Sequence, residues 1–150
     1  MNIRLATFED IETITGFQMA MALETEELIL DRDILRSGIE AAVKDEHKGR
    51  IYVAEESAGG KVIGSLMITL EWSDWRNGWI WWIESLYVLP ECRKKGVFQG
   101  MYDYIKSRVL ADAQVKGLRL YVDKRNIRAQ KVYEAIGMSG EHYTTYEWLK

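Results

Sequence analysis

Leu86-Tyr87-Val88-Leu89-Pro90-Glu91-Cys92-Arg93-Lys94-Lys95-Gly96-Val97-Phe98, residues 86–98, is the stretch from which the rest of the chain is read. An apolar strand running from Trp79 to Leu89 ends at Pro90, which has no N–H to give a ladder. Beyond Gly96, residues Phe98, Met101, Ile105 and Val109 recur at three- and four-residue spacing, which predicts a long helix starting near Val97. Between strand and helix lies a basic turn. The unpaired N–H groups and positive dipole end of a helix form an anion site. Gly96 lets backbone approach a ligand with no Cβ in the way, and Arg93, Lys94 and Lys95 add positive charge suited to a pyrophosphate. The same residues also read as a plain helix start with solvated basic side chains. A nucleotide P-loop is excluded, because Gly-x4-Gly-Lys-Ser/Thr is missing.

Upstream, Ile3 to Ala6 reads as a first strand, and Thr7 with Asp10 three residues on predicts the N-cap of a helix over Phe8–Glu24. A second helix starts near Asp31 and carries Ile34, Leu35, Ile39 and Val43 on one face. Strands follow at Arg50–Glu55 and Val62–Leu70, joined by the turn residues Ser57-Ala58-Gly59-Gly60, and Trp72–Gly78 is a further turn. Downstream, Gly117 is expected to close the long helix before a strand at Leu118–Val122. A short helix over Asn126–Ile136 stops at Gly137, and His142–Leu149 reads as a last strand. The order implies an α/β chain with one mixed sheet flanked by helices.

A length of 150 residues with 47% hydrophobic and 29% charged residues fits one domain, 1–150, with its own core. The net charge of −3 argues against a nucleic-acid partner. No apolar stretch reaches the roughly 20 residues that span a bilayer. One cysteine, Cys92, excludes an internal disulfide and a multi-cysteine metal site, so no metal is expected. With no leader pattern after Met1, a reduced, cytoplasmic setting is expected.

Two motifs carry a family resemblance. Arg93-Lys94-Lys95-Gly96-Val97-Phe98 resembles the Gln/Arg-x-x-Gly-x-Gly/Ala turn of the GNAT superfamily of N-acetyltransferases, with Phe98 in place of the small last residue. Asn126, Ala129, Tyr133, Gly137 and Met138 resemble that superfamily's Asn, then Ala-x-x-x-Tyr-x-x-x-Gly-Phe/Met. Trp72-Ser73-Asp74-Trp75-Arg76-Asn77-Gly78 is similar to a segment of one bacterial branch, and Glu84-Ser85-Leu86-Tyr87-Val88 to diamine and polyamine acetyltransferases. The resemblance implies a mostly antiparallel sheet flanked by about four helices. It also implies acetyl-coenzyme A as donor and an amine as acceptor. Leu86, Tyr87 and Val88 would meet the pantetheine arm, which fills a gap in the sheet like an added strand. Arg93 to Phe98 would meet the pyrophosphate, and Asn126 and Tyr133 complete the cofactor side.

An alkylamine with a pKa of roughly 10.4 is protonated at neutral pH and must lose a proton before attack. Glu84, a lone carboxylate read as sunk in the middle of the apolar run Trp79-Ile80-Trp81-Trp82-Ile83 and costly to bury there without a role or a partner, is the candidate base, acting directly or through a water. A structural pairing of Glu84 is its plainer reading. By resemblance Tyr133 gives a proton to the leaving thiolate. A backbone N–H near Leu86 is the oxyanion donor. Cys92 is read as a small loop residue, since neither His47 nor His142 stands near it in sequence.

On the acceptor side, Glu24, Glu26, Glu27 and Asp31 form an acidic run, and Glu71 and Asp74 lie near the later turn. Glu24, Glu27, Asp31, Glu71, Asp74 and Glu84 are the candidates for binding a cationic small-molecule amine, although such a run also reads as a solvated face. An open peptide groove would instead favour a protein acceptor. A noncatalytic acyl-CoA-binding module is the alternative of another class. The aromatic content admits a homodimer.

Overall fold

The structure, a computed structural model, describes residues 1–150, which form two compact units, Met1–Leu120 and Tyr121–Lys150. The first holds β1 (Asn2–Leu5), α1 (Ile11–Glu26), α2 (Arg32–Lys44), β2 (Arg50–Glu55), β3 (Val62–Ser73), β4 (Gly78–Val88), α3 (Val97–Ala111) and β5 (Val115–Leu120). The strands lie in sequence order in one sheet, antiparallel throughout except for the parallel pair β4 and β5. That pair is parallel because α3 carries the chain back before β5 begins.

Side chains sort by the period-two alternation of a strand. Ile51 and Val53 of β2 turn to one face and close a core with Ile11 and Ile14 of α1 and Ile39 and Ala42 of α2. Tyr52 turns to the other face and meets Tyr104 of α3 edge-on at 5.8 Å. Leu66 and Ile68 of β3 and Met101 and Ile105 of α3 are fully buried. Each such side chain contributes about 1.5–3 kcal/mol by leaving water.

Several element ends differ from expectation. The Thr7–Asp10 capping exchange is present, with the Asp10 carboxylate accepting from Thr7 N at 2.7 Å and Thr7 Oγ1 at 3.1 Å. It starts a 3₁₀ turn over Phe8–Asp10, and α1 proper runs on to Glu26. Glu27 closes α1 in a left-handed conformation (φ 53°), so the stop needs no glycine. Asp31 caps α2 as expected, its carboxylate accepting from the N–H groups of Asp33 and Ile34.

Gly117 does not close α3. The helix ends at Ala111, and Gly117 sits inside β5 opposite Ile80. Asp112 makes the turn: its side chain accepts from Gln114 N and its carbonyl from Val115 N, the side-chain turn that aspartate offers in competition with helix.

The second unit holds α4 (Ile127–Ala135), capped by the Asn126 side chain and stopped by Gly137 at φ 89°. The expected strand over His142–Leu149 does not form. A strand needs a neighbour to accept its ladder, and this segment pairs with none of the five strands. Its alternating aromatics stand in solvent instead, Tyr146 at 94% and Trp148 at 87% exposure. No helix is long and apolar enough to cross a membrane.

Candidate active site

The site begins where two strands part. The β4–β5 ladder ends at the pair Ile83–Leu120, while β4 continues to Val88. On its other side β4 stays paired with β3, but the register slips between Ser65 and Met67, whose partners are Tyr87 and Glu84. The extra residue is a β-bulge, and Ser85 within it takes φ 53°. Gln18 of α1, itself 6% exposed, donates its amide to the Ser85 carbonyl at 2.8 Å and holds the bulge in place.

The bulge decides which way the backbone faces. Leu89 N donates to Ile63 O, so Leu89 and, two residues back, Tyr87 address β3. Leu86 and Val88 therefore turn their N–H and C=O groups to the open side, as a strand's alternation requires. The Val88 carbonyl accepts from Arg93 Nε at 2.9 Å.

Arg93 is folded back over β4. Its guanidinium lies 5.3 Å from the Tyr87 ring centre and binds Glu24 at 2.7 Å. Tyr87, packed on Phe17 at 5.2 Å, donates its hydroxyl to the other Glu24 oxygen at 3.2 Å. Burial, and then the Glu24 charge, push the Tyr87 phenol above its usual value. Lys94 and Lys95 are exposed. Lys94 (φ 62°) and Gly96 (φ 80°) are both left-handed, and α3 starts at Val97. Val97 is buried, so it offers the outside only its backbone; Phe98 is half-buried, 6.1 Å from Tyr102.

These residues fit a phosphoanhydride. A Cβ at Gly96 would meet nothing within 4 Å, the turn carries two lysines, and the first turn of α3 presents N–H groups lacking intrahelical acceptors.

Glu84 stands opposite Met67 on the sheet face that α1 and α2 cover. It is half-buried rather than sunk among the tryptophans, and accepts from Thr69 Oγ1 at 2.6 Å. In the second unit Asn126 Oδ1 accepts from Ala129 N at 3.0 Å. Ala129 and Tyr133, four residues apart on α4, share one face. Burial pushes the Tyr133 phenol above its usual value.

The acidic candidates do not gather around one void. Glu24 is engaged by Arg93 and Tyr87. Asp31 caps α2, and Glu27 forms the left-handed end of α1. Glu71 accepts from Arg119 at 2.8 Å and from the Trp82 indole at 3.1 Å. Asp74 accepts from Trp75 N.

A cavity of about 470 Å³ lies instead between α1, α2 and the bulged strands. Met21, Ala22, Leu28, Leu30, Leu35 and Ile39 make its apolar part, and Gln18, Ser65 and Ser85 its polar part. Its one acidic lining residue is Glu26, a member of the run that charge alone did not single out. Thr69, Gln18 and Ser65 were not found from sequence, since each acts across a register or a helix–sheet contact that no local pattern announces.

The acetyltransferase (GNAT) family profile matches residues 9–138. A possible acetyltransferase from Clostridium difficile 630 has a crystal structure that is 42% identical, with a TM-score of 0.91 over 99% of this chain and 97% of that one. A probable acetyltransferase is 20% identical at a TM-score of 0.86, covering 100% of this chain and 98% of that one. AAC(6')-Iy, solved in complex with the bisubstrate analogue CoA-S-monomethyl-acetylneamine, is 18% identical at a TM-score of 0.76, covering 99% and 97%. At those last two identities the likeness concerns the fold. No curated protein sequence matches. The chain therefore belongs to the acetyltransferase (GNAT) family, and its chemistry is acetyl-CoA-dependent N-acetylation.

Proposed function

We propose that the chain, as one domain spanning residues 1–150, moves acetyl from acetyl-CoA to a primary amine of a small molecule by direct attack. The observation that carries the small-molecule reading is the 470 Å³ cavity beside the bulge, whose volume is within the range of ligand pockets. In this reading Leu86 and Val88 hold the pantetheine arm by backbone hydrogen bonds, and Arg93 must let go of the Val88 carbonyl to admit it. Lys94, Lys95, Gly96 and the N–H groups at Val97 and Phe98 hold the pyrophosphate. The Asn126 amide nitrogen, its oxygen spent on capping, would be the group offered to the cofactor, as the family resemblance implies. A cytoplasmic setting suits the free Cys92 thiol.

Glu84 takes the proton from the amine, and the Thr69 bond fixes which oxygen does so. A backbone N–H at Leu86 supports the developing oxyanion. Tyr133 gives its proton to the departing thiolate and hydrogen-bonds the sulfur. Holding donor and acceptor together supplies much of the remaining rate.

Thiol release with Glu84→Gln and Tyr133→Phe tests these roles. Each is expected to lose about 10²-fold or more in kcat, with acetyl-CoA affinity by calorimetry nearly unchanged. Unaltered turnover in either variant removes that residue from the mechanism.

A further inference from the structure

The cavity is polar at one end and apolar at the other. At the bulge end Gln18 bonds Ser85, and Ser65 stands across the ladder from Tyr87. The Ser65 hydroxyl is fully buried, lines the cavity and has no hydrogen-bond partner. Glu84 faces Met67, a lining residue, at this same end. Away from the bulge the walls are mainly Met21, Leu28, Leu30, Leu35 and Ile39, with the exposed Thr25 and Glu26 the polar residues of α1 among them.

A ligand that fits has one polar head and an apolar body. The head goes to the bulge, where Ser65 Oγ lacks a partner and where acetyl would be delivered; the body lies between α1 and α2. An orphaned buried hydroxyl costs about 1–3 kcal/mol, which a ligand hydrogen bond returns. A polyamine or amino sugar fits badly. Only one further ammonium could meet an acid in the lining, Glu26, and any other would enter the apolar wall at several kcal/mol without a partner. Glu24 is committed to Arg93, Glu71 to Arg119 and Asp31 to its cap, which leaves the exposed Glu26 as the one acid in the lining.

We propose that the acceptor is a monoamine with an aliphatic or aromatic body, seated in this cavity with its amine at Ser65 and the bulge. The inference rests on the acetyl-transfer reading for turnover, but not for binding.

The test uses 2-phenylethylamine and hexylamine against spermidine, neamine and a short lysine peptide, by thiol release and by calorimetry. The monoamines are expected to exceed the others by about tenfold or more in kcat/KM, the scale that pocket complementarity supplies. Gly38→Leu puts a side chain into the cavity from α2, where a Cβ meets nothing within 4 Å and helix propensity rises. It should raise the monoamine KM about tenfold while the acetyl-CoA KM holds. Ser65→Ala should weaken monoamine binding without lowering Tm.

Preference for spermidine, neamine or the peptide overturns the inference and leaves acetyl transfer standing. Monoamine binding that Gly38→Leu abolishes, with no turnover of any amine, upholds the cavity assignment and removes acetyl transfer. Failure of the monoamines to bind, or a Gly38→Leu protein with unchanged monoamine KM, overturns the inference.

Discussion

Thr69 donates to Glu84 at 2.6 Å, and a hydrogen bond to a charged group contributes about 1.5–3 kcal/mol. If Glu84 is the base and that bond orients it, Thr69→Val should lower kcat about tenfold, roughly 1.4 kcal/mol of barrier, with the acetyl-CoA KM unmoved. Thr69→Ser should restore it; a purely structural Thr69 would change Tm and leave kcat alone. Tyr133 gives a pH prediction. Burial holds its phenol above the ordinary value of 10.0, so it keeps its proton throughout the neutral range. An acid that must be protonated to act then produces no alkaline fall in kcat below about pH 10. A fall near pH 8 would remove Tyr133 from the role. Glu84 stood out in sequence as a candidate because one carboxylate interrupts an aromatic strand. Thr69 was not: the diagonal that joins it to Glu84 exists only after β3 and β4 are in register.

The β4 bulge is the element on which the site turns, and Gln18 is the side chain that grips it. Gln18→Met keeps the volume and removes the bond to the Ser85 carbonyl. It should lower kcat about tenfold, as a sub-ångström displacement of reacting groups does, while far-UV circular dichroism and acetyl-CoA binding stay as in the parent. Full activity would show that the strand pairing holds the bulge unaided. Elements announced by spacing were legible: the strand-turn-helix at Val88–Val97, the Asp31 cap, the glycine stop after α4. Ends set by side-chain turns were not, because Asp112 and Glu27 break helices without glycine or proline. The bulge was hidden for a like reason, its left-handed residue being a serine.

At the scale of the molecule, β1, the start of α1 and β2 are tied by buried charge. Arg4 binds Asp10 at 2.7 Å and Glu55 at 2.8 Å, and those carboxylates are 5% and 3% exposed. Burial opposes the Asp10 charge, but Arg4 and the Thr7 N–H and hydroxyl overcome it and hold its carboxyl below the usual value. Asn2, then Arg4 and the Gly59 N–H, do the same for Glu55. Carboxyls that are more acidic folded than unfolded take up more protons on unfolding, so stability falls with falling pH. The loss should begin near pH 4–5, where unfolded carboxyls titrate, and deepen as pH drops further. Asp10→Asn should lower Tm at pH 7 and flatten this acid limb in denaturation at pH 3–6; an unchanged slope would show that other groups set it. The fold class was readable from the order of strands and helices, whereas this network joins residues far apart in sequence, Arg4 and Glu55 among them.

The parted strands have one more consequence. A sheet that stops pairing halfway along a strand offers unmatched backbone to any edge that drifts by, a neighbouring molecule's included. Arg93 plugs part of that offer at the Val88 carbonyl, and the acetyl donor would cover the rest. Concentrated enzyme without its donor should therefore scatter more light than enzyme saturated with acetyl-CoA, and equal scattering would show that the unpaired stretch of β4 is no point of association.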